Sequence, residues 1–257
     1  MRASGIRCHV AGATTILRRG ATPREIGGSE TVSKHMQKDL DRLLQDVLRM
    51  AGNVEEAIQN ATQALETRDS ALAQEVLDRD DAIDHYENDV QEECLKVLAL
   101  HQPVAIDLRR IGAVLRIATD LERMGDLAVG LAETAVALSH PPFPVIPARF
   151  HPMTRRAIDM VKRSLNALVH SDAAEARAVV LMDDEVDADN DAIIAEVIAR
   201  MKRSPDEIDP GLALHAAVRY VERIADHATN IAEEVVYVVE GAMVRHHPEA
   251  LLPAPAS

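Results

Sequence analysis

The chain has 257 residues and a formal net charge of −14, with 2% aromatic residues and no Trp. That length can bury the cores of one large or two modest domains, so a chain disordered throughout is excluded. The acidic balance repels duplex nucleic acid and anionic membranes, and the scarcity of aromatics removes the platforms on which single strands stack. Two cysteines, Cys8 and Cys94, form no CxxC, which fits a reducing cytoplasmic setting. No apolar run approaches the roughly 18 residues that span a bilayer, so no membrane insertion is expected.

In chain order, residues 1–30 hold five of the eleven Gly and show no helical periodicity, which reads as a disordered leader. Met36, Leu40, Leu43, Val47, Val54 and Ala57 then recur at helical spacing and predict a first helix over roughly 33–66. Leu72, Val76, Ile83, Val90, Cys94 and Leu98 carry a second that stops near Pro103. Ile106, Ile111, Val114, Ala118, Leu121, Ala128 and Leu131 carry a third. Five of the twelve prolines fall within 139–152, too dense to continue a helix, and mark a stiff boundary. Beyond it the pattern restarts over roughly 153–169, 173–203 and 211–245, and "HHPEALLPAPAS" reads as a disordered tail. The expected fold is all-α: tandem duplicated antiparallel three-helix bundles, six long helices in all. The expected division is a leader at 1–30, a first bundle at 31–139, a linker at 140–152, a second bundle at 153–245 and a tail at 246–257.

Glu122 and Asp126 in "DLERMGD" stand one helical turn apart, and Glu222 and Asp226 in "VERIAD" repeat the arrangement. Like charges at that spacing repel by a few tenths of a kcal/mol, about 0.2–0.5. Helix two adds Asp80 and Asp84, and helix five adds Asp183 and Asp187, at the same spacing. In an antiparallel hairpin, positions equidistant from the turn share a level. Asp80 with Asp126, and Asp84 with Glu122, share the midpoint 103, at Pro103; Asp183 with Asp226, and Asp187 with Glu222, share 204.5, beside Pro205. Four carboxylates at one level require cations, protonation or several arginines. All-oxygen ligands suit Mg²⁺, Mn²⁺, Ca²⁺ or iron. The plainer alternative is a surface salt-bridge ladder, because Arg123, Arg219 and Arg223 stand three residues before Asp126, Glu222 and Asp226.

No His has an acid three residues before it, and HExxH, P-loop, GxGxxG and GxSxG motifs are absent, so no catalytic apparatus is expected. His227 reads as a capping or surface residue rather than a ligand, Met36, Met50, Met124 and Met201 as core filler, and Cys94 as a small buried hydrophobe. Asp107 reads as first-turn helix electrostatics, and the adjacent Arg109 and Arg110 as a possible contact for an anionic partner.

The stretches "SKHMQKDLDRLL", "HQPVAIDLRRIGAVLRIATDLERMGD" and "RYVERIADHATNIAEEVVYVVEG" resemble the PhoU family, the accessory regulators of phosphate-specific transport, over about 31–245. The resemblance implies two similar three-helix bundles whose E(D)xxxD motifs hold multinuclear metal clusters. The implied ligands are Asp80, Asp84, Glu122 and Asp126, then Asp183, Asp187, Glu222 and Asp226, with iron or zinc foremost and Mn, Mg or Ca as alternatives. One position departs: Tyr220 stands where the first motif has Asp120, so the two clusters are expected to differ. The resemblance further implies a cytoplasmic homodimer that works with a Pst-type phosphate ABC transporter and a phosphate-sensing histidine kinase, represses phosphate-starvation genes and restrains uptake, without catalysis. A metal-dependent helical-bundle enzyme and a purely structural scaffold are the competing readings.

Overall fold

The computed structural model describes residues 29–140 and 145–241, with side chains from residue 34 onward. The expected leader up to residue 28, residues 141–144 of the expected linker and the expected tail lie outside the described residues. Among those described there is no strand, and no helix is long and apolar enough to cross a membrane. The helices are α1 (Ser29–Thr67), α2 (Ser70–Leu77), α3 (Asp80–His101), α4 (Ala105–Ala137), α5 (Phe150–His170), α6 (Ala173–Arg203) and α7 (Ile208–Glu240). A 3₁₀ turn at Pro205–Glu207 precedes α7.

The duplicated architecture is visible in matching local chemistry. Arg68 and Ser171 each take a positive φ, 61° and 52°, and end α1 and α5. The next residues, Asp69 and Asp172, then cap the following helices: Asp69 accepts from the N–H groups of Ala71 and Leu72, Asp172 from those of Ala174 and Glu175. Such caps hold helix starts by about 1 kcal/mol each. Each unit then runs back along its first helix and returns through a third, α4 or α7, to close an antiparallel bundle.

One expected helix is broken. The second helix of the first unit divides at Asp78 and Arg79, where i→i−3 bonds take over: Arg79 N–H donates to Val76 O and Ala82 N–H to Arg79 O. The tightened turn needs no Pro or Gly. Asp78, Arg79, Asp80 and Asp81 crowd charge onto it, and Arg79 reaches out to Glu56 on α1 at 2.8 Å. In the second unit the matching residues are Leu181 and Met182, and α6 runs through unbroken. Another difference is that α5 opens at Phe150, three residues inside the stretch expected as linker. Pro152 is accommodated because the N–H groups of a first turn have no helical acceptor.

The inner helices are α4 and α7, which bury 15 of 33 residues each, against seven of 31 for α6. They pack on their own bundles and on each other. Asp120 meets His227 and Asn230, Arg116 meets Glu234, Gly130 meets Tyr220, and Arg109 lies over Gly241. These pairings run antiparallel along the whole seam. Asp120 with Asn230 and Gly130 with Tyr220 are images of one another, each position touching the counterpart of the other's partner, which defines a local two-fold between the units. The departing residue Tyr220 therefore fills the seam: a Cβ added to Gly130 would stand 2.8 Å from its ring.

Candidate metal centre

The hairpin α3–α4 carries Asp80, Asp84, Glu122 and Asp126, and the hairpin α6–α7 carries Asp183, Asp187, Glu222 and Asp226. Antiparallel pairing brings together the residues that share a level. Asp80 is raised above the ordinary aspartate range by partial burial and then by Asp84, Asp126 and Asp81. Glu122 is raised by burial and by Asp126, Glu87 and Asp84, against the opposing charge of Arg123. In the second unit Asp183 is pushed up to about 7 by burial, followed by Asp226, Asp187, Glu222 and Asp184. Glu222 and Asp226 are both raised by partial desolvation, Glu222 then by Asp226 and Asp187, Asp226 then by Asp187; arginine neighbours moderate both. Each set of four thus shares one electrostatic environment.

The carboxylates nevertheless stand apart. Among the described residues no three His, Cys, Asp or Glu side chains are gathered at ligating distance. The salt-bridge ladder offsets part of the charge: Arg123 lies 3.4 Å from Glu122 and 3.2 Å from Asp126, and Arg219 lies 2.7 Å from Glu222. No ion pair joins Arg223 to Asp226, although its charge lowers that carboxyl's pKa.

One oxygen is left over. Glu222 is buried at 9% exposure, its Oε1 accepts from Arg219, and its Oε2 is buried with no hydrogen-bond partner. A buried carboxylate oxygen without a partner is costly, and a hard cation is one group that satisfies it. The second set therefore fits a metal on this observation. The first set offers the same donors, more exposed and already engaged by Arg123.

Sequence reasoning missed the role of His227. It lies 2.8 Å from Asp120 across the seam, where Asn230 also donates to Asp120 at 3.3 Å. Only knowledge of which helix faces which could have found that contact. Cys94 is wholly buried, and burial followed by the charge of Glu93 pushes its thiol up to about 12. Asp107 occupies the first turn of α4 and lies 3.6 Å from Arg110.

These features define a duplicated helical-bundle protein with a carboxylate-lined hairpin in each half. The PhoU domain family model matches residues 47–135 and 150–235, one match in each half. The chain belongs to the PhoU family. It is 36% identical to a phosphate-specific transport system accessory protein PhoU homolog of Pseudomonas aeruginosa, over 84% of this chain and 92% of the relative. A relative of the same description from Aquifex aeolicus is 38% identical over 81% of this chain and 95% of its own. The crystal structure of PhoU from Pseudomonas aeruginosa superposes with a TM-score of 0.78 at 36% identity, covering 80% of this chain and 99% of that one. That of the phosphate transport system regulatory protein PhoU from Streptococcus pneumoniae gives 0.77 at 28% identity, covering 81% and 99%.

Proposed function

We propose that this chain is an accessory regulator of phosphate transport, a non-catalytic cytoplasmic adaptor. It acts with a Pst-type phosphate ABC transporter and a phosphate-sensing histidine kinase, holding starvation genes off and uptake down when phosphate is plentiful. The observation that carries the reading is the match of both halves to the family whose relatives bear that accessory role in their names. Expression in a bacterium deleted for its own PhoU, carrying a phosphate-starvation reporter, tests it. Repression restored in rich phosphate is the expected result, and a reporter that stays on despite soluble, folded protein would sink the reading.

Within that role, the carboxylates Asp80, Asp84, Glu122 and Asp126, and Asp183, Asp187, Glu222 and Asp226, hold metal clusters, with iron or zinc foremost. A bound cation would supply positive charge that draws each hairpin together and satisfies Glu222. Elemental analysis of protein purified without chelator, compared with the Glu122→Ala, Asp126→Ala, Glu222→Ala, Asp226→Ala variant, is the check. Metal present in the wild type and lost from a still-helical variant supports the sites. Wild type that stays metal-free after reloading returns the acids to salt-bridge partners. The proposed homodimer is read separately, by sedimentation or light scattering.

A further inference from the structure

The duplication shows where the first unit is left hollow. At the helix break, α1, α2, α3 and α4 enclose a cavity of about 290 Å³ whose floor is apolar, made by Ala57, Val76, Ile83, Gly125 and Val129. In the register that aligns the caps Asp69 and Asp172, Ala57 corresponds to Met160 and Arg79 to Met182. Met160 is wholly buried and Met182 packs on the core. The second unit thus buries an unbranched side chain where the first has only a methyl group. The mouth differs as well. Asn53, Glu56, Asn60 and Glu75 line it, and Arg79, the only cation among the lining residues, is engaged with Glu56 at 2.8 Å. Among the described residues no ion pair reaches Glu75. Asn53 donates its Nδ2–H to Arg49 O at 3.1 Å, which leaves its Oδ1 to accept. The mouth is therefore rich in acceptors, with one carboxylate in excess. The corresponding residues of the second unit are Arg156, Asp159, Arg163 and Ala178, so the acidic mouth belongs to the first unit alone.

We propose that this cavity binds a short unbranched aliphatic amine, its alkyl chain laid on the apolar floor and its ammonium donating to Glu75 and the asparagine carbonyls. Three donors on a compact cation match a mouth of acceptors. The floor cannot solvate a second charge, which disfavours a diamine. The volume is about twice the roughly 150 Å³ that admits benzene, which sets the ligand at about six to eight carbons. Asp80 borders the cavity too, but the site does not need its charge, so binding is measured in chelator and stands or falls apart from the metal reading.

The probe is n-hexylamine, titrated into the full-length protein and followed at the ¹³C-labelled δ1 methyl of Ile83, on the cavity floor. A saturable shift with a Kd of about 1 mM is expected. Ala57→Met copies the second unit and should weaken binding about tenfold or more, with helicity unchanged and the melting temperature no lower. Glu75→Gln keeps the cavity and should weaken hexylamine about threefold while leaving n-hexanol unchanged. Asp80→Asn should change neither. Hexane-1,6-diamine and hexanoate should each bind about tenfold more weakly than hexylamine. No shift up to about 20 mM amine, or undiminished affinity in a folded Ala57→Met, would overturn the proposal. Equal binding of the diamine would overturn it by making the contact charge alone, and equal binding of hexanoate by reducing the site to an apolar void. Should Ala57→Met fail to fold, Glu75→Gln and the ligand series on wild type decide.

Discussion

The two units set the same four carboxylates at the same level of the same hairpin and surround them differently. In the first unit Asp126 is half-exposed, Arg123 contacts both Glu122 and Asp126, and the helix that carries Asp80 is broken just before it. In the second, α6 is continuous, Glu222 is buried, one of its oxygens has no partner, and burial pushes the pKa of Asp183 up to about 7. The seam is uneven too. Arg116 and Glu234 pair on one side, with Arg116 also 5.6 Å over the Tyr237 ring, while their image positions hold Ala216 and Thr134, whose hydroxyl turns back to Gly130 O at 2.8 Å. Duplication supplies the scaffold twice; burial and partner choice then let the copies diverge.

The largest expected effect tests the seam. Arg116→Ala leaves the 8%-exposed Glu234 without its bidentate partner and should cost about 2–3 kcal/mol, less than a fully buried pair because Arg116 is itself partly exposed. Chemical denaturation measures it, and a loss below about 0.5 kcal/mol would show the pair to be ornamental. Next comes Gly130→Ala. In an open helix position that change stabilises by up to about 1 kcal/mol. Here the new Cβ collides with Tyr220 and should cost about 1–2 kcal/mol. Gly52→Ala, with nothing within 4 Å, is the control expected to gain stability.

The pH response sharpens the contrast between the two acidic sets. The folded pKa of Asp183 is about 7 against an ordinary 3.8, so the metal-free folded state keeps a proton that the unfolded chain releases. The stabilisation is complete below about pH 4 and is lost as pH rises to about 7, because the unfolded state then binds fewer protons than the native one. The melting temperature of chelated protein should therefore fall from about pH 5 to about pH 7.5, and Asp183→Asn should flatten the fall more than Asp80→Asn does. Equal slopes in both variants would erase the distinction between the sets. The smallest effect is expected at the helix break. Asp78→Leu with Arg79→Met copies the second unit, sacrifices the exposed Glu56 pair and the exposed hydrogen bond from Gln74 to Asp78, and should gain about 0.5 kcal/mol with slightly more helical signal.

The helices were largely legible because apolar residues recur at helical spacing and prolines punctuate them. The level pairing of the carboxylates was legible because antiparallel hairpins obey simple arithmetic about their turns: Asp80 does face Asp126, and Asp187 faces Glu222. The break at Asp78 and Arg79 was not, since "DRDD" suits a solvated helix face as well as a tightened turn. Nor was the seam. Asp120, His227 and Glu234 look like surface polar residues until α4 and α7 lie against each other.

The seam also gives the molecule its optical signature. The chain has no Trp and three Tyr, and two of those, Tyr220 and Tyr237, lie between the units, one against Gly130 and the other under Arg116. Tyrosine emission and near-ultraviolet dichroism therefore come mostly from this boundary, with Tyr86 on α3 as the sole reporter outside it. An opening of the two halves would be visible without any label, while the far-ultraviolet helical spectrum stayed nearly still.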